Sequence, residues 1–216
     1  MTVPMALVDF VPVALFLIAS IVLQRSFYDK MSKGAFAIFS AGTIMVFVAG
    51  FIKATWKLLY AAGVCDFQAL NSAFFPMQST GFLLAGLGCV ALAFFKQGDE
   101  QHALAGAAAP AAFKGTMVFV AVMVAGVALM DFSLAKIARK RGAGVAAVLF
   151  IVAFVFALGM GYLSSKDFAN PAMNWAAEGV NVCGQTMFLA ASIMLARAKK
   201  AYREARRSVL RPRPSR

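Results

Sequence analysis

The sequence predicts an all-α polytopic integral membrane protein, a bundle of about six transmembrane helices, and three observations predict it. Hydrophobic residues make up 62% of the 216 positions and mean hydropathy is +0.78, whereas a soluble globular domain uses roughly 45–50% apolar residues. Only 14% of residues are charged, and they gather in short clusters between apolar runs. That is the pattern expected when the runs sit in hydrocarbon and the clusters in water or headgroups. The runs are about 20 residues long, the length of helix that crosses a bilayer core.

The first span is expected at 5–24, with Pro4 at its start, Asp9 inside its first turns and Pro12 as a kink, because proline lacks the amide that the helix needs. No basic residue precedes it and no A-x-A-like cleavage site follows, so it is expected to remain in the protein. The second span is expected at 34–60 and the third at 70–95, where Pro76 would free the carbonyl of Ser72 if the helix runs through it. A polar segment at 96–102 and a small-residue linker at 103–112 follow. The fourth, fifth and sixth spans are expected at 115–135, 143–163 and 171–196. Residues 1–196 thus form a single transmembrane helical domain, followed by a basic tail at 197–216 whose first part continues the sixth helix.

The formal charge of +12 is distributed as membrane topology, since its excess lies in that tail and in the loop around Lys136, Arg139, Lys140 and Arg141. Strict alternation of six spans places 13 Lys and Arg on one side and 6 on the other. The positive-inside rule then puts both termini in the cytoplasm, with the protein in the plasma (inner) membrane. The tail is expected to lie against anionic lipid headgroups, and no nucleic acid is expected as a partner. The halves also look alike: 30–34 precedes the second span as 136–142 precedes the fifth, and Asp66-Phe67 precedes the third as Asp167-Phe168 precedes the sixth. Three spans plus three would make a 3+3 inverted repeat, an arrangement common in transporters.

Catalytic chemistry is scarcely represented. Three scattered cysteines make neither a disulfide framework nor a metal set, and the single histidine, His102, lies in the polar linker. No H-E-x-x-H, G-x-S-x-G or P-loop occurs. No catalytic residues, metal or cofactor are expected, and the chain is not expected to be an enzyme.

Polar residues inside the spans carry the functional reading. Asn174, Glu178, Asn181 and Gln185 fall at i, i+4, i+7 and i+11 of the sixth span and share one face. A carboxylate and three carboxamides are too costly to point at lipid, so this face should turn toward other helices or a hydrated cavity. It serves either as a proton, cation or solute site or as an inter-helix clamp. In the third span Asn71 and Gln78 lie on roughly one face with the small Gly81 and Ala85. Small residues such as Gly81, Gly88, Gly126, Gly159 and Gly161 are expected to let helices pack closely. Lys53, Lys57 and Tyr60, with Trp56 beside them, are expected to anchor the second span at the interface, and Asp131 or Asp9 is expected to pair with either lysine.

The expected function is a small-solute transporter, channel or membrane solute-binding subunit, with a polar cavity lined by the third and sixth spans. The alternative is a sensory or accessory membrane module working through partner subunits, and an intramembrane enzyme built on Glu178 comes third. The expected partners are the lipid bilayer and a small polar or ionic solute, with a homo-oligomer or partner subunit left open.

Overall fold

Among the described residues, six helices are long and apolar enough to cross a membrane. The computed structural model describes residues 2–95, 116–163 and 171–210. In chain order the elements are α1 (Val3–Val8), α2 (Phe10–Phe27), α3 (Lys33–Ala61), α4 (Gln68–Phe94), α5 (Thr116–Lys140), α6 (Gly144–Leu163) and α7 (Pro171–Leu210), with α1 and α2 together forming the first span. The expected linker at 103–112 and His102 lie outside the described residues.

Local chemistry explains the interruptions. Pro12 has no amide to give the carbonyl one turn back, and the helix breaks a turn earlier, at Asp9 between α1 and α2. At Pro76, by contrast, α4 runs through without ending. The Ser32 hydroxyl caps α3 by accepting from the Ala35 amide at 3.2 Å. Gly63 and Gly142, at φ +68 and +74, end α3 and α5 in left-handed turns in which the Val64 and Ala143 amides reach back five residues to Leu59 and Ala138. The helix of the sixth span continues into the basic tail as far as Leu210.

The helices pack as a closed ring in chain order, α2 through α7, with α7 returning against α2. Two seams are set by backbone approach. A Cβ at Gly42 would lie 2.4 Å from the Ala85 nitrogen, across α3 and α4, and one at Gly126 would lie 2.5 Å from the Leu83 nitrogen, across α5 and α4. Gly81, Gly86 and Gly88 sit on the same seams. Association in hydrocarbon gains nothing from expelling water between helices, so it relies on such close van der Waals contact. Gly159 makes only an ordinary contact with Val180, and a Cβ at Gly161 would meet nothing within 4 Å among the described residues. Large apolar side chains such as Ile44, Phe51, Val148 and Val155 remain exposed on the outside of the ring, as a lipid-facing surface requires.

Contacts along each seam give the helix directions. Gly42 against Ala85 and Gly88 against Phe39 make α3 and α4 antiparallel, and Gly159 against Val180 with Gly184 against Phe156 does the same for α6 and α7. The α4–α5 seam is different. Gly126 meets Leu83, Gly86 meets Leu129 and Met130, and Lys140 Nζ donates to the Ala93 carbonyl at 3.0 Å, so the two helices run in parallel. The α2–α7 seam is parallel as well, with Phe16 stacked on Phe188 while Asp9 and Glu178 meet near the helix starts.

Each half therefore runs up, down, up in the same sense. This corrects the inverted form of the repeat: α4 and α5 share a direction, so the second half is not upside down. It also separates the chain ends, because α1 begins at one end of the bundle and α7 finishes at the other. The expectation that both termini share one face rested on strict alternation, which the α4–α5 pair breaks.

Candidate functional site

A cavity of about 650 Å³ opens within the ring at the end where α1 begins. It is bounded by Thr2 and Tyr60 near the helix ends and by Phe16, Phe82 and Gln185 near mid-height. The break at Asp9 and the α3 face carrying Lys53, Lys57 and Tyr60 position its charged groups, and the i, i+4 spacing that puts the two lysines on one face also turns both inward.

Its centre is an ionic cluster. Lys57 Nζ donates to Asp9 Oδ1 at 2.8 Å and to Glu178 Oε1 at 3.1 Å, so one ammonium from α3 joins carboxylates from the α1–α2 break and from α7. Asp9 and Glu178 are buried, at 7% and 6% exposure. Their second oxygens, Oδ2 and Oε2, are buried and meet no hydrogen-bond donor among the described residues. A buried ammonium joined to two carboxylates is costly to assemble from water and more costly to break by removing one member.

Lys53, one turn deeper, has different surroundings. Its ammonium donates to Asn71 Oδ1 and lies 4.8 Å from the Trp56 ring centroid and 5.4 Å from that of Phe74. Among the described residues it has no carboxylate within ion-pair distance. Trp56 is held in turn, since its indole donates to Asp66 Oδ1 at 2.9 Å and its ring stacks on Tyr60. Gln68 donates to both oxygens of the same Asp66, which braces the α3–α4 turn that holds Trp56.

The floor is aromatic. Phe16 meets Phe82 edge to face and Phe188 in a stack, both with centroids 5.9 Å apart, and Phe150 closes on Phe188 from α6 at 5.6 Å. Such pairs add about 0.5–1.5 kcal/mol each beyond their burial.

All four members of the α7 stripe, Asn174, Glu178, Asn181 and Gln185, line the cavity together with Gln78. Asn71 does not line it but holds Lys53. Three expectations need correction. The cavity belongs as much to the first and second spans as to the third and sixth. Lys57 is a cluster member and Lys53 a cavity wall, so neither is a snorkelling anchor. Of the two acids offered to them, Asp9 pairs with Lys57, whereas Asp131 lies buried in α5 at 2% exposure with Oδ1 unpartnered.

Phe16, Phe82 and Asp66 were not legible as site residues. The two phenylalanines are among 21 in the chain and carry no pattern of their own. Asp66 acts only through the turn that brings it to Trp56.

Compared with protein-family models, with curated proteins and with solved structures, the chain gives no match in any of the three.

Proposed function

We propose that this chain is a small-solute membrane transporter or solute-binding subunit whose solute enters the cavity from the extracytoplasmic side. The observation that carries the reading is the cavity itself. Buried charge and amides inside a membrane bundle are costly, and here they converge on one solute-sized space instead of a dry helix contact.

Charge supports the direction of entry. Assigned to the nearest helix end in sequence, 17 Lys and Arg fall at the end opposite the cavity and 4 at the cavity end, two of these being Lys53 and Lys57. Lys136 lies over the Phe94 ring and Arg141 over Phe27, which seats the basic loop on the far ends of α4 and α2. The positive-inside rule makes that basic end cytoplasmic, with the N-terminus outside and the basic tail inside. The Phe16–Phe82–Phe188 floor is then the barrier on the cytoplasmic side, and release inward requires the two three-helix halves to shift about it. The same closed floor also suits the alternative of a sensory module that reads bound solute and never opens inward.

Accessibility tests the reading. In a chain with Cys65→Ser and Cys183→Ser, a cysteine at Gln78 should react with a membrane-impermeant thiol reagent added to intact cells. Reaction only after permeabilisation would reverse the entry side, and no reaction in either state would mean that the cavity holds no water.

A further inference from the structure

We infer that the cavity takes an apolar monocarboxylate, its head on Lys53 and its body among Trp56, Phe74 and Phe75; this rests on the cavity being a solute site. The four charged groups of the cavity are not equivalent. Lys57 is committed to two carboxylates, and each of those is committed to Lys57. The second oxygens of Asp9 and Glu178 are buried, so a cationic ligand in the open space would not reach them without displacing their cover.

Lys53 is the group left over. It stands eight residues before the end of α3, roughly 12 Å along the axis at 1.5 Å per residue. Among the described residues its partners are one amide oxygen and two ring faces. An ammonium has three donors. At this depth a carboxylate ligand supplies the counter-charge that the protein does not, and a charge-assisted hydrogen bond is about twice as strong as a neutral one.

The surroundings select the remainder of the ligand. Phe74 and Phe75 meet edge to face at 5.1 Å, and together with Trp56 and Phe47 they line the cavity, with Trp56 and Phe74 directly beside the Lys53 ammonium. Flat or aliphatic carbon packs on such a wall, whereas a second charge would have to be desolvated against it. A volume of about 650 Å³ suits an organic acid of modest size, since ligand pockets run roughly 300–1,000 Å³. Such an acid could reach the cavity from water or from the bilayer as a fatty acid.

Titration calorimetry on the full chain in lipid nanodiscs tests this with one carbon skeleton in three charge states and one membrane-borne acid. The probes are 3-phenylpropionate, 3-phenylpropionamide, 3-phenylpropylamine and decanoate. A carboxylate is expected to bind at least about tenfold more tightly than the amide and the amine, as loss of a hydrogen bond to a charged group implies. Lys53→Gln should erase that preference and Lys53→Arg should keep it. Binding by decanoate and not by 3-phenylpropionate would support the same head chemistry with the bilayer as source. Equal affinity for the three phenyl probes, or preference for the amine, would overturn the anion assignment while leaving a solute cavity. No binding by any of the four would overturn the anion assignment and remove the support for the solute cavity as well. The comparison of probes on the unaltered chain does not depend on any variant folding.

Discussion

Lys57→Met should destabilise the protein by about 3–5 kcal/mol, the usual cost of stranding buried charge. At an effective dielectric of about 20, the pairs at 2.8 and 3.1 Å attract by about 6 and about 5 kcal/mol. The two bound carboxylate oxygens can be no farther apart than the sum of those distances, so they repel by at least about 3 kcal/mol. A gross gain of at most about 8 kcal/mol remains, and desolvation of three ions at several kcal/mol each offsets most of it. The intact cluster therefore contributes little net stability, while its fragments cost much. Removing only the ammonium leaves two buried like charges, whereas the neutral triple variant Lys57→Met, Asp9→Asn, Glu178→Gln leaves none. It should recover to within about 1–2 kcal/mol of the parent, because a buried ion pair and a neutral replacement are often equivalent. The assay is reversible unfolding in mixed micelles titrated with dodecyl sulfate, followed by Trp emission. If Lys57→Met unfolds within about 1 kcal/mol of the parent, or if the triple variant is no better than the single one, the cluster is not ionic in the way its distances imply.

Three further outcomes follow from other parts of the fold. Gly126→Ala puts a Cβ 2.5 Å from the Leu83 nitrogen, so the α4–α5 seam must open; a loss of about 1–3 kcal/mol is expected in the same titration, while Gly179→Ala, at an exposed position of α7 where a Cβ meets nothing within 4 Å, should be neutral or stabilising. Equal effects at the two glycines would mean that the seam is not tightly packed. Asp131→Asn removes a buried carboxylate whose Oδ1 has no partner and should leave stability unchanged or raise it by about 1–3 kcal/mol; a clear loss would reveal an unseen partner. Cys65, exposed in the α3–α4 turn, should label from outside intact cells, and a cysteine at Ser208 only from within. Labelling of both from one side would contradict the parallel halves.

The six spans were legible because hydropathy and length suffice to define them, and their ends were placed to within a few residues except at α5, which continues through Lys136 to Lys140. The α7 stripe was legible for the same kind of reason, since the spacing of Asn174, Glu178, Asn181 and Gln185 is a property of one helix. What was not legible lies between helices. Lys57 and Glu178 are 121 residues apart, and nothing in either neighbourhood names the other. A lysine four residues before the end of a span ordinarily reaches for headgroups, and only the acids brought by α1–α2 and α7 hold it inside. The direction of α5 was misread because counting spans assumes strict alternation, whereas the described contacts set α5 parallel to α4.

That misreading and the ionic cluster are linked by geometry. Lys57 lies four residues from the end of α3, and Glu178 seven residues after the start of α7. Under strict alternation those helix ends would occupy opposite faces, and at 1.5 Å rise per residue the two side chains would be separated axially by more than about 20 Å. A lysine cannot bridge that distance. The 3.1 Å contact therefore requires α7 to start where α3 ends, which is the arrangement the α4–α5 seam produces independently through Gly86, Gly126 and Lys140. The basic residues give a third line, since the same arrangement, with Lys53 and Lys57 set aside in both counts, moves the tally from 13 against 6 to 17 against 2. Orientation signals sharpen when the assumed topology is right, because insertion responds to where the charges lie. Labelling at Cys65 and Ser208 probes the direction of the helices, and the Lys57 series probes the contact that this direction permits. An ionic Lys57 combined with same-side labelling would require α7 to reach Glu178 by a route that the α4–α5 seam does not provide, and the parallel arrangement of the halves would fall.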